Sequence, residues 1–250
     1  MTIEACAELV QRGDPDRFLA VIAAPPAARA RLFLLYAFNL EVARAPWVTQ
    51  EALIAEMRLQ WWRDVVENAA SGAARAHEVA GPLHELIRSH SLPIDVLDAL
   101  IAARRWDVHR EPHAGEGDLH AYLDDTGAGL MWLAARVLGA GDEAEAAIRA
   151  FGWATAAANY LRAVPDLQAR GRQPLPVGVT AQQLARLGLE KLTLARKARK
   201  AISRQVAPAL LAGWQTEALL RQVAAGQIAP SLSEFGMRWR LLQQSMTGRW

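Results

Sequence analysis

The sequence predicts an all-α protein, and three observations carry that expectation. Apolar residues make up 52% of 250 positions, with many Ala and Leu but only 3 Tyr and 5 Phe. The alternating β-branched runs that mark strands are missing. Apolar positions instead recur three and four apart between Pro and Gly punctuation, which is helical spacing. Without a Gly/Ser-rich or charge-run linker, residues 1–250 read as a single domain. The lone cysteine, Cys6, excludes an internal disulfide framework and fits a reducing compartment. A net charge of +2 is too small for a nucleic-acid footprint, so no nucleic-acid partner is expected. No apolar run approaches the roughly 18 residues that span a bilayer, and Glu4 and Glu8 sit where a secretory signal would be basic. A cytoplasmic location follows as an expectation.

Taken in order, Asp14-Pro15-Asp16 supplies a cap and a helix-starting proline for Arg17 to Ala23, and Pro25-Pro26 breaks it. A helix from about Ala27 to Ala45 carries Phe33, Tyr36, Ala37, Leu40 and Arg44 at helical spacings. Another, from about Gln50 to Ala70, shows the stripe Leu53, Met57, Trp61 and Val65, which predicts Trp61 facing inward. Its string EMRLQWWRD leaves a choice between solvated arginines and one arginine, such as Arg58, inside a cavity. Gly81 and Pro82 open a helix to His90; Pro93 opens one that runs on through Asp107, with Asp95 and Asp98 read as charges suited to its N-terminus. The six histidines show no metal-ligand spacing and are expected to be solvated or packed. Leu119 to Leu138 is a helix whose Gly127 and Gly129 imply close approach, either by a helix or by a ligand chain. Thr180 caps a short helix; Leu189 to Leu211 bears the basic cluster Lys191, Arg196, Lys197, Arg199, Lys200 and Arg204, a solvated face. Ser231 to Met246 mixes Phe235, Met237, Trp239, Leu241 and Leu242 with Arg238 and Arg240, a pattern suited to a membrane interface or a partner surface.

The organising stretch is Phe151 to Pro176. As a helix it places Ala154, Ala157, Ala158 and Leu161 on one small apolar face, with Asn159 and Arg162 presenting polar groups, and it should fail near Pro165. This stretch resembles the second diphosphate-binding region of the squalene/phytoene synthase family: Gly152, Ala154, Asn159, Leu161, Arg162, Val164, Gly171, Arg172 and Pro176 match. The segment LLYAFNLEVARAPW is similar to the family's first motif through Tyr36, Ala37, Phe38 and Val42. Strings like EMRLQWWRD occur in a catalytically degenerate branch that includes a mitochondrial assembly factor for respiratory complex I, and in ordinary members too.

The resemblance implies an isoprenoid-synthase-type helical bundle with a central cavity. In active members it implies Mg²⁺ held against a substrate diphosphate by aspartates. At those positions this chain has Ala43, Arg44, Trp47, Ala163 and Leu167. Asp166 lies about 100° of helix rotation from residue 167 and is no simple substitute. Asp124-Asp125 lies outside both motifs. No catalytic or metal residue is therefore expected, and no cofactor, Mg²⁺ included. Two classes compete: a non-catalytic scaffold or assembly factor, and a prenyl diphosphate transferase working without the Asp-rich motifs. The implied partners are an isoprenoid or lipid ligand, a respiratory-complex subunit, and the inner face of an anionic membrane contacted peripherally. Candidate ligand residues are Tyr36, Leu40, Arg44, Arg58, Gly127, Asn159, Arg162 and Arg172. Arg44, Arg162 and Arg172 are expected to converge on an anion-attracting cavity mouth.

Overall fold

The computed structural model describes residues 3–69 and 72–250, and among them no strand occurs. The helices are α1 (Ile3–Gly13), α2 (Pro15–Ala23), α3 (Pro26–Arg44), α4 (Ala52–Asn68), α5 (Ala80–His90), α6 (Ile94–Ala103), α7 (Arg105–His109), α8 (Glu116–Leu123), α9 (Gly129–Arg136), α10 (Glu145–Ala169), α11 (Ala181–Lys197), α12 (Thr216–Ala224) and α13 (Glu234–Thr247). Short 3₁₀ turns cover Asp142–Ala144, Arg199–Ala201 and Ala207–Gly213. The expected end of α4 at Ala70 lies outside the described residues.

Helix α10 is the spine. Phe151, Gly152, Trp153, Ala154, Ala157, Ala158, Tyr160 and Leu161 are all buried, so it is enclosed on nearly every side, with α9, α11 and α12 against it. Contrary to expectation, α10 does not fail at Pro165 but continues to Ala169. Proline removes one N–H, whereas Leu161, Val164 and the partly buried Leu167 keep the next turn docked on the core. The stop comes at Gly171, whose φ of +73° an L side chain rarely adopts; there Arg172 N–H donates to Leu167 O at 3.0 Å.

The path from α8 to α9 is a continuous helical run interrupted by a π-helical turn, Asp124–Ala128. Gly127 meets α10 within this turn: a Cβ there would overlap the Ala156 Cβ, and one on Gly152 would lie 2.8 Å from Ala128 Cα. The glycines thus serve close helix approach.

Four local expectations are overturned. On α4, Leu53 and Met57 are 72% and 64% exposed, while Ala55, Leu59, Trp62, Val65 and Val66 are buried. Trp62, not Trp61, is the inward indole, and it meets Phe38 edge-on with centroids 5.4 Å apart. The expected stripe was displaced because adjacent tryptophans offer two registers, and packing against α6, α7 and α3 selects one. Asp98 is a bidentate partner of Arg63 on α4 rather than a helix-end charge alone. The α6 helix stops at Ala103, and Arg104 kinks the chain into α7. Finally, the Thr180-capped helix is long, reaching Lys197, and Leu189–Leu211 is broken there into 3₁₀ turns.

Candidate functional site

Three of the candidate ligand residues do meet. Tyr36 of α3, Gly127 of the π turn and Asn159 of α10 line one interior cavity together with Arg17, Leu130, Met131 and Thr155, but its volume is about 20 Å³. That is room for about one water molecule and not for a prenyl chain. Arg17, which sequence reading treated only as the start of a helix, lines both this cavity and the groove beside it. Asp14 holds its guanidinium at 2.8 Å, and that guanidinium lies over the Tyr36 ring, 5.4 Å from the centroid. The short α1–α2 link positions it, since Asp14 also caps α2 through the Arg17 N–H. Burial pushes the Tyr36 hydroxyl up to about 12, so it stays a phenol at neutral pH.

Outside Arg17 lies a groove of about 320 Å³, lined by Asp14, Asp16, Arg17, Asn159, Arg162 and Gln215 among others. Arg162 is on its wall, donating to Asp16 at 2.8 Å and to Gln215 at 3.4 Å.

The remaining candidates are elsewhere, and the expected arginine-lined mouth does not form. Arg44 is solvent-exposed at the end of α3, and Arg58 is exposed on α4, so neither lines the cavity or the groove. Helical phase explains both: the buried sides of α3 and α4 are set by Leu40 and Val42 and by Leu59 and Trp62. Leu40 itself is core, lying against the backbone of Gly13. Arg172 is buried and turned away, donating to the carbonyls of Asp107 at 2.9 Å and Trp106 at 2.8 Å. It thereby satisfies carbonyls in the short α7 helix, a task suited to a cation at a helix C-terminus. Where the resemblance implies aspartate, Trp47 instead faces two cations: Arg170 and Arg172 lie 5.4 and 5.5 Å from its ring centroid.

Sequence reading missed the cluster that Arg172 joins. Arg104 donates to Tyr122 Oη at 2.9 Å, Tyr122 donates to Asp107 Oδ2 at 3.0 Å, and Arg104 reaches the same carboxylate at 3.5 Å. Trp106 stacks on His113 with centroids 4.2 Å apart, and Arg172 lies 4.3 Å over the same indole. Tyr160 gives its proton to Pro174 O at 2.6 Å, so at 3.2 Å the His113 Nε2 must be the donor to Tyr160 Oη. Burial holds His113 down to about 4 and pushes the Asp107 carboxyl up against the pull of Arg104. Burial also pushes both tyrosines well above their ordinary value. The cluster ties α6, α7, α8 and α10 together, while Arg104 Nε, Trp106 Nε1 and Arg172 Nε are buried without a hydrogen-bond partner. The one available signal was the three-residue spacing of Arg104 and Asp107, which is ordinary on any helix.

The positions at which the family resemblance implies metal ligands carry other residues. Ala163 and Leu167 lie one turn apart on α10, and Ala43 and Arg44 end α3. Among the described residues no three His, Cys, Asp or Glu side chains gather closely enough to hold a metal ion.

A family profile, squalene/phytoene synthase, matches residues 10–240. The chain belongs to the squalene/phytoene synthase family. Its fold is similar to that of squalene synthase HpnC from Alicyclobacillus acidocaldarius, with a TM-score of 0.73 over 89% of this chain and 93% of that one at 18% identity. It is also similar to YisP from Bacillus subtilis, with a TM-score of 0.67 over 96% and 94% at 16% identity. Among curated relatives, NADH dehydrogenase (ubiquinone) complex I assembly factor 6 of Bos taurus is 29% identical over 175 residues, covering 70% of this chain and 53% of that protein. The Drosophila melanogaster homolog is 32% identical over 181 residues, covering 68% and 52%. The chain therefore spans about half the length of the curated relatives it matches. No helix among the described residues is long and apolar enough to cross a membrane.

Proposed function

We propose that this family member is a non-catalytic scaffold of the complex I assembly-factor type, with a respiratory-complex subunit as its partner and peripheral contact with an anionic membrane. The observation that carries the reading is the state of the two facing helices. The positions that hold Mg²⁺ in active members are Ala43, Arg44, Trp47, Ala163 and Leu167, and the cavity that Tyr36 of α3 and Asn159 of α10 line together has only about 20 Å³. Mg²⁺ needs oxygen ligands in near-octahedral array, and this chain offers none at those positions. The likeness to the curated assembly factors supports the same reading. The isoprenoid or lipid ligand is assigned to the outer groove because the motif-matching residues Asn159 and Arg162 line it, whereas the inner cavity has no room for a chain.

The test is incubation with farnesyl or geranylgeranyl diphosphate and Mg²⁺, followed by product extraction. No hydrocarbon and no released diphosphate are expected. Steady turnover would overturn the non-catalytic reading. An Ala163→Asp variant is expected to remain inactive as well, because one carboxylate leaves the metal short of ligands.

A further inference from the structure

Helix α13 carries its apolar stripe on the outside. Phe235, Trp239, Leu242 and Met246, spaced four, three and four apart, share one face and are 79%, 51%, 48% and 77% exposed. The opposite face docks on the molecule through buried Leu241 and Gln244, whose amide donates to Leu210 O at 2.9 Å. A surface helix that buried its own apolar side would show the reverse orientation. The neighbouring α2, which α13 touches, adds exposed Leu19 and Ile22. Between α2 and α13 runs a groove of about 370 Å³, lined by Ala23, Pro25, Arg204, Met246 and Trp250 among others. The groove joins the C-terminal ends of the two helices, with Met246 of the stripe on its wall.

Its charge is one-sided. From Phe235 to Trp250 there is no acidic residue; Arg238 is exposed beside the stripe and Arg204 lines the groove, while Arg240 and Arg249 lie toward the docking side, where they line a recess with Glu217. Two copies joined face to face by α13 would bring these arginines together, with only Glu234 on the helix to offset them. An anionic lipid surface neutralises them instead. A stripe of Phe, Trp, Leu and Met flanked by arginine also matches the layering of the bilayer interface, with apolar side chains at the acyl boundary and guanidinium groups among phosphates.

We infer that α13, with the adjoining end of α2, is the surface by which this protein lies on an anionic bilayer, its stripe inserted to interfacial depth and its arginines at the headgroups. The inference rests on the peripheral contact proposed above and names the surface that makes it.

Flotation with phosphatidylcholine vesicles, with and without phosphatidylglycerol, tests it. The protein is expected to float with the anionic vesicles at low salt and to be released at high salt. A Phe235→Ser, Trp239→Ser, Leu242→Ser variant leaves Leu241 and Gln244 in place; it should keep the helical circular dichroism and lose at least about tenfold in partitioning. Arg204→Gln with Arg238→Gln should bind with reduced preference for the anionic vesicles. As a second measurement, an environment-sensitive dye on Leu242→Cys in a Cys6→Ser background should shift to the blue when anionic vesicles are added. Failure of the unmodified protein to float would remove both the peripheral contact and this inference. Flotation that is unchanged in the triple variant, with no dye shift, would overturn the α13 assignment while leaving peripheral contact standing. Self-association lost in the triple variant, without vesicle binding, would assign the stripe to a second copy and overturn the inference.

Discussion

Two arginine–aspartate pairs lie on opposite sides of α10's polar end and share the same chemistry in different surroundings. Arg162 and Asp16 meet at 2.8 Å in the open groove, each with more than a quarter of its side chain in water. Arg104 and Asp107 are farther apart, at 3.5 Å, yet Asp107 is 6% exposed and shares its carboxylate with Tyr122. The shorter contact is the weaker contributor. Water and salt compensate the exposed charges when they separate, whereas a buried charge left alone has no substitute. The groove pair therefore shapes a surface, and the buried pair decides whether four helices stay together.

The comparison is sharpest under truncation. Asp107→Ala leaves Arg104 buried without its counter-charge and is expected to lower unfolding free energy by about 3–5 kcal/mol. A urea midpoint shift smaller than that of an average surface substitution would remove the distinction between the two regions.

A pH titration probes the same buried cluster from another side. Folded His113 stays neutral down to about 4, while the unfolded histidine takes its proton near the ordinary value of about 6.5. Between those values the unfolded chain binds more protons, so stability rises with pH; the contribution is present above 6.5 and lost as pH falls toward 4. It amounts to at most about 3 kcal/mol across the window. His113→Phe preserves a ring against Trp106, and its stability should fall less steeply between pH 6.5 and 4; parallel wild-type and variant curves would contradict the assignment.

The smallest effect belongs to the groove. Asp16→Ala is expected to change stability by less than about 1 kcal/mol, and by less still in high salt. A loss as large as that of Asp107→Ala would mean that the groove pair is as essential as the buried one.

Much of the fold was legible because helix signals are local. Asp14-Pro15 did start a helix, Pro25-Pro26 did end one, and Ala154, Ala157, Ala158 and Leu161 did form a buried face. The departures of Ala43, Arg44, Trp47, Ala163 and Leu167 from the family's aspartates were likewise plain in the residues themselves. Helical phase was less secure: Leu53 and Met57 fit a stripe as well as Leu59 and Trp62 do, and only packing against α6, α7 and α3 separates them. The site suffered most. Arg162 and Arg172 stand ten residues apart and both match the motif, but the left-handed Gly171 turns the chain so that one reaches the groove and the other α7.

What the sequence by itself determined is a helical chain of this family whose expected metal-binding carboxylates are replaced, since both follow from residue identity and short-range spacing. Only the tertiary structure decided that the inner cavity is small, that Asp107 sits in a buried cluster, and that α13 turns its apolar stripe outward. Each of these depends on which distant element occupies the space beside a side chain. Burial and charge compensation are properties of that shared space and not of any one stretch of chain.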